Sequence, residues 1–238
     1  MLLNIFSPEG LVSLFTLIFL EIILGIDNII FIAIICSYLP KKDQQRSRTI
    51  GLMLAMVFRI LLLLGISYLV RMVSPLFHIG DFGVSGRDLI LFAGGVFLVY
   101  KSVLELYHKL ASVEEGKAHK ERKLTVSSAI LQITLIDIIF SFDSILTAVG
   151  LSRDLPVMIT AVVFSMFVML FFAPYVSDFI AKYPTMKILA LTFLVAIGML
   201  LVIESLHLEF DKNHIYFGML FSFIVETLNI RLRKMNRL

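Results

Sequence analysis

The sequence predicts an all-α membrane protein with seven transmembrane helices, and three observations predict it. Of its 238 residues, 59% are apolar and the mean hydropathy is +0.95, where soluble domains run at about 45–50% apolar. Seven separate stretches are long and apolar enough to meet the requirement of about 20 residues for crossing a bilayer. A short acidic pattern recurs inside two of those stretches, at matched positions. The whole of 1–238 reads as a single transmembrane domain, with few residues left over for a soluble one.

The first span is placed at 11–38 and stops before Pro40, Lys41 and Lys42. No Lys or Arg precedes it, and it is too long for the apolar core of a cleaved signal, so a retained helix is expected. The second span, 49–73, ends before the punctuation from Pro75 to Gly86, and the third covers 88–107. The charged run from Glu114 to Lys123 follows. The loop at 106–126 reads as a solvated connector in preference to a regulatory segment, because mixed charge keeps a stretch soluble. The fourth span, 127–150, ends before Arg153 and Pro156. The fifth, 157–176, and the sixth, 186–206, are divided by Tyr183-Pro184, and the seventh, 214–230, follows Asp211 to Asn213.

The basic residues set the expected orientation. Of the 21 Lys and Arg, four lie in loops on the N-terminal side, fifteen on the other side, and Arg59 and Lys101 lie within spans. Cytoplasmic loops carry the excess, so the N-terminus is expected outside and the C-terminus in the cytoplasm. The net charge of +3 and pI near 9.0 therefore express topology, and no nucleic-acid partner is expected. The single cysteine, Cys36, makes no internal disulfide and reads as a small core residue.

The first acidic pattern is Glu21-Ile-Ile-Leu-Gly25-Ile-Asp27-Asn28, and the second is Asp137-Ile-Ile-Phe-Ser141-Phe-Asp143-Ser144. Two further segments repeat in the same order. Ala55 to Arg59 resembles Ala161 to Ser165, and Gly95 to Ser102 resembles Gly198 to Ser205. Spans one to three thus match spans four to six. Three spans per half make the second half enter the membrane from the opposite side. The expected architecture is an inverted repeat, 11–107 and 127–206, with an extra helix at 214–230. Such repeats recur in transporters, with the substrate site where the halves meet.

A charge in the bilayer core costs about 2.5–3.5 kcal/mol on insertion scales, so intramembrane acids are functional by default. Glu21, Gly25 and Asn28 form one helical stripe, and Asp137, Ser141 and Ser144 form another, extended by Thr134 and Ala148. The two stripes are expected to face each other. Asp27 and Asp143 fall about 120° away on a regular helix. They either serve a second partner or mark an unwound segment, for which Gly25 is the better candidate. Carboxylate, amide and hydroxyl oxygens are hard ligands suited to Mg2+, Ca2+ and Mn2+. Glu21, Asp27, Asp137 and Asp143 against Arg59 and Lys101 leave minus two, the complement of one divalent cation or of bound protons. The competing reading makes the acids structural, paired with Arg59, Lys101 or backbone donors. Arg59 is expected to hold a carboxylate or to gate, and Lys101 and Glu204 to act as rim residues or gates. Glu226, Gln132 and Tyr100 read as packing or interface residues, and His207 and His214 as residues of the outer rim.

These motifs, with Gly94-Gly95 and Lys101 in the third span, resemble the TerC family of integral membrane proteins over about residues 8 to 230. With no extra cytoplasmic domain in view, the chain resembles the short, membrane-only form. The family is named for tellurite resistance, and members are linked to metal-ion homeostasis, several to manganese efflux. The resemblance implies an ion site of Asp27, Asn28, Asp143 and Ser144 with Glu21 and Asp137, and it favours manganese. Residues and resemblance together give the expected function: a multi-pass protein of a bacterial plasma membrane that exports Mn2+ as cargo by alternating access of the two three-helix halves, with no resident cofactor and with protons, sharing the same carboxylates, as a candidate counter-ion. The alternative is a partner that loads metal into, or helps assemble, exported or membrane proteins. An enzyme is not expected. An intramembrane aspartyl protease would need its carboxylate dyad in a Gly-x-Gly-Asp setting, where this chain has Leu-Gly25-Ile-Asp27.

Overall fold

The computed structural model describes residues 7–65, 72–80, 82–114, 124–151, 154–208 and 210–235. Arg71, Arg153 and the charged run at 115–123, all used in the topology argument, lie outside the described residues.

Helix α1, Pro8–Ser37, opens with a side-chain cap: the Ser7 hydroxyl accepts from Gly10 N at 3.0 Å, and Pro8 takes the first helical position. Both satisfy the start of a helix without a backbone partner. α1 continues unbroken through Glu21, Gly25 and Asn28, so the unwinding expected at Gly25 does not occur. Within lipid every backbone group must find its bond inside the segment, and a regular helix provides that. Gly25 instead leaves room for the Met169 side chain.

Helix α2, Lys41–Leu64, starts eight residues before the expected 49 and ends well short of 73. Its polar first turns are helical, and Ser47 and Arg48 are buried there. The region read only as punctuation contains an antiparallel hairpin, β1 Pro75–Ile79 and β2 Phe82–Ser85. Phe77 lies opposite Val84 and Ile79 opposite Phe82. Gly80 turns the chain at φ +63°, a conformation that suits glycine. Then follow α3 Gly86–Glu114, α4 Val126–Leu151, α5 Leu155–Lys182, α6 Pro184–Ser205 and α7 Lys212–Met235. α4 runs regularly through Asp137 and Ser141. Seven of the described helices are long and apolar enough to cross a membrane.

The chain forms two compact units, Met1–Arg87 with Lys120–Phe179, and Asp88–His119 with Ile180–Leu238. The first holds α1, α2, the hairpin, α4 and nearly all of α5. Its core includes Ile133, Phe142, Ile145 and Met169, each almost fully buried. Ser47, Gly51 and Ala55 recur every four residues as a buried stripe on α2. A β-carbon on Gly51 would lie 2.8–3.2 Å from three atoms of Ile133 on α4, the close helix approach that small residues permit in lipid.

The second unit holds α3, α6 and α7. At Gly95 and Gly198 the backbones of α3 and α6 nearly touch: a β-carbon on Gly198 would stand 3.0 Å from both the Gly95 carbonyl and the Val99 amide. α7 rests on α6 and keeps none of its apolar stretch buried. Phe217, Leu220, Phe221 and Leu228 point outward, as expected of a helix facing lipid tails. Each unit combines matched spans, the first and second with the fourth and fifth in one, and the third with the sixth in the other. The units thus cut across the sequence halves 11–107 and 127–206.

Candidate functional site

A ring of charged and polar side chains closes inside the first unit where α1, α2 and α4 meet. Its centre is Arg59, one helical step beyond the small stripe on α2 and 2% exposed. The Arg59 Nη1 donates to Glu21 Oε2 on α1, and Nη2 donates to Asp137 Oδ1 on α4 at 3.2 Å. Its Nε donates to the Ser141 hydroxyl at 2.7 Å, and that hydroxyl donates to Asp137 Oδ2 at 3.1 Å. The Asn28 amide on α1 donates to Asp137 Oδ1 at 3.1 Å. Asp137 thus accepts three hydrogen bonds, two of them on one oxygen. Glu21, Asn28, Asp137 and Ser141 are all buried.

The spacing of the sequence creates this ring. Glu21 and Asn28 lie seven residues apart on one face of α1, and Asp137 and Ser141 lie four apart on one face of α4. Gly51 and Ala55 bring α2 close to α4, so the guanidinium reaches both helices. A guanidinium offers five donors in a planar fork matched to carboxylates, and three of its nitrogens are used here. Two acids against one cation leave an excess negative charge among these groups.

Among the described residues, two acceptors on the stripes that meet here lack a hydrogen-bond partner, Asn28 Oδ1 on α1 and Thr134 Oγ1 on α4. Unpaired buried acceptors cost free energy, so such atoms at an acidic site mark capacity for a donor or a cation. Ser144 is buried, and its hydroxyl donates to the Ser141 carbonyl at 3.2 Å, one turn from the ring.

Of the residues expected at the ion site, Glu21, Asn28 and Asp137 come together, with Ser144 beside them. The two stripes do meet, through the Asn28–Asp137 bond. Asp27 and Asp143 fall on the continuous helices α1 and α4, and their side chains lie outside the described residues. Arg59 holds both carboxylates, the pairing role expected of it. Lys101 is half-buried on α3, in the second unit. No group of three or more His, Cys, Asp or Glu able to hold a metal occurs among the described residues. Ser141 was read as part of a stripe and not as a site residue, yet it bonds both Arg59 and Asp137. Its position four residues after Asp137 was the available signal. At the rim of the second unit, His207 Nε2 pairs with Asp88 Oδ2 at 2.9 Å, and Lys212 pairs with Glu204 at 3.0 Å.

Comparison with known proteins shows the family of the chain as a whole. A family described as "Integral membrane protein TerC family" matches residues 6–237. The chain is 46% identical over 229 residues to "UPF0053 protein" of Haemophilus influenzae, covering 96% of this chain and 97% of the relative. It is 44% identical over 232 residues to "UPF0053 inner membrane protein YgdQ" of Escherichia coli K12, covering 98% and 97%. It also matches 43% of the longer "UPF0053 inner membrane protein YoaE" of the same organism at 40% identity, over 94% of this chain. No solved structure matches. With a family match over nearly its whole length and seven helices fit to span a bilayer, the chain belongs to the TerC family of integral membrane proteins.

Proposed function

We propose that this protein moves a divalent cation, Mn2+ foremost, out of the cytoplasm across a bacterial inner membrane, and that the matched motifs of α1 and α4 hold the ion. The observation that carries this reading is the buried ring in which those two motifs meet around Arg59. Relatives named as inner membrane proteins support the location. Oxygen donors suit hard cations, and Asn28 Oδ1 and Thr134 Oγ1 retain free acceptor capacity. The preference for manganese over magnesium or calcium rests on the family resemblance, since ligand type alone does not choose among them.

In this mechanism Arg59 is a tethered substitute for the cargo. It pairs with Glu21 and Asp137 while no ion is present, offsetting one of their two charges, and an arriving cation takes those carboxylates as the guanidinium withdraws. Asp27 and Asp143 supply further oxygens. Return of Arg59, or protonation of the carboxylates, then expels the ion to the other side by alternating access. Protons sharing these carboxylates would make transport an exchange.

A second reading is favoured by one feature: the Asp137 oxygens are already satisfied by Arg59, Asn28 and Ser141, as a structural acid would be. On that reading the protein is a metal-loading or assembly partner with slight flux of its own.

The test is Mn2+ uptake into proteoliposomes containing the purified chain alone, beside Asp27→Asn and Asp143→Asn, with a pH dye in the lumen. Flux that both substitutions abolish supports the transporter, and proton counter-movement makes it an exchanger. Well-folded protein that binds Mn2+ but passes none establishes the loading-partner reading instead.

A further inference from the structure

Arg48 presents a second buried cation, distinct from the Arg59 ring. It lies two turns inside α2, on the same helical face as Lys41 seven residues earlier. It is 7% exposed. Among the described residues its one hydrogen bond is to a neutral group: Nη1 donates to the Ser177 hydroxyl on α5 at 3.0 Å. Among the described residues no carboxylate lies within 4.0 Å of it. A guanidinium has five donors and stays charged. A buried charge with no counter-charge costs several kcal/mol, whereas Arg59, 2% exposed, has two carboxylates.

The surroundings indicate what supplies the missing charge. Lys41, Lys42 and Arg46 are exposed in the first turns of α2. Pro40 gives α2 no side-chain cap, and Asp43 is the acid of its first turn; the Asp43 amide bonds to the Pro40 carbonyl at 2.8 Å, so the positive helix end is only partly met from within the chain. From Lys41 to Arg48 is about 10 Å along the helix at 1.5 Å per residue, which is the depth of the interface between headgroups and acyl chains. On the orientation set by the basic residues, this is the cytoplasmic face.

We propose that Arg48, with Ser177 as its positioning hydroxyl, is a phosphate-group site at that end of the first unit. The planar fork of Arg suits two phosphate oxygens, the Ser177 hydroxyl holds the fork in place, and Lys41, Lys42 and Arg46 attract the anion from outside. The occupant is the headgroup phosphate of an anionic lipid or a free phosphate. The site stands apart from the ion ring and does not rest on transport.

The test measures retained lipid by native mass spectrometry, and thermal melting, for the purified protein in nanodiscs. One arm uses phosphatidylcholine alone, one adds phosphatidylglycerol, and one adds inorganic phosphate to the neutral bilayer. Wild type is expected to retain a phosphatidylglycerol, and Arg48→Gln to lose about tenfold in that retention, the worth of one charge-assisted contact. Ser177→Ala is expected to lose about threefold, and Arg48→Lys to fall between wild type and Arg48→Gln, because it keeps the charge without the fork. Stabilisation of wild type by inorganic phosphate, but not by the lipid, would identify free phosphate as the occupant. A Lys41→Gln, Lys42→Gln double variant controls for general surface charge. If Arg48→Gln melts as a folded protein and retains anionic lipid and responds to phosphate like wild type, the site is disproved. It is equally disproved if only the double variant loses retention. If Arg48→Gln does not fold, the Ser177→Ala and Arg48→Lys results decide the matter in the same way.

Discussion

At the scale of single residues, Arg59 is the group on which the ring depends. Removing it would leave Glu21 and Asp137 buried without their cation, and breaking a buried pair by deleting one partner costs about 3–5 kcal/mol. Arg59→Gln is therefore expected to lower the melting temperature in detergent sharply, with Arg59→Lys retaining part of the loss. An unchanged melt would mean that water or another cation already satisfies the acids. Ser141 bonds both Arg59 and Asp137. Ser141→Ala should cost about 1–3 kcal/mol, the penalty of leaving buried partners unsatisfied. Asn28 separates the structural from the transport role, because it carries both a bond to Asp137 and an unused buried oxygen. Asn28→Leu is expected to reduce Mn2+ flux in proteoliposomes by at least about tenfold, a loss of 1.4 kcal/mol or more. Wild-type flux from that variant would remove the amide oxygen from the ion path.

At the scale of helices, four glycines make different demands although all allow close packing. At Gly198 and Gly95 the neighbour is backbone, which cannot rotate away. At Gly51 it is the buried Ile133 side chain. At Gly25 it is the end of the flexible Met169 side chain, which can turn aside. Overpacking a tight contact costs about 1–3 kcal/mol. Gly198→Ala is therefore expected to destabilise more than Gly51→Ala, and Gly25→Ala least, as ranked by melting in detergent. A ranking with Gly25 first would restore a special backbone role for it. The sequence suggested such a role, because a glycine between two carboxylates resembles a helix break. It could not reveal that the glycine serves an approaching methionine 144 positions along the chain, Met169 on α5. The limits of α2 were misjudged for a related reason. Its polar start from Lys41 to Arg48 looks like a loop to a hydropathy window, but the neighbouring helices bury Ser47 and Arg48. Arg48 was thus counted among loop charges.

At the scale of the whole molecule, the excess of basic residues on one side predicts a cytoplasmic C-terminus. A C-terminal green fluorescent protein fusion should therefore fluoresce in cells, because that reporter folds in the cytoplasm, whereas an alkaline phosphatase fusion at the same place should be inactive. The opposite pattern would invert the direction of the proposed transport. The compact units pair matched spans from the two sequence halves, so the ring draws Glu21 and Arg59 from one half and Asp137 and Ser141 from the other.

Composition and spacing alone determined that this chain is a membrane protein with seven helices long and apolar enough to cross a bilayer, and they singled out two acidic motifs. Those properties follow from apolar length and from the cost of charge in lipid, both local along the chain. The family was legible for the same reason, since its motifs are short and contiguous. Only the tertiary structure decided which cation meets which acid. Arg59 lies 38 residues from Glu21 and 78 from Asp137 in sequence, and the small stripe on α2 draws them together. It also decided that Ser141 belongs to the ring and that Arg48 is buried with no carboxylate beside it among the described residues. A hydrogen bond between helices is set by packing distance and angle, and no periodicity along one helix records what its neighbour presents.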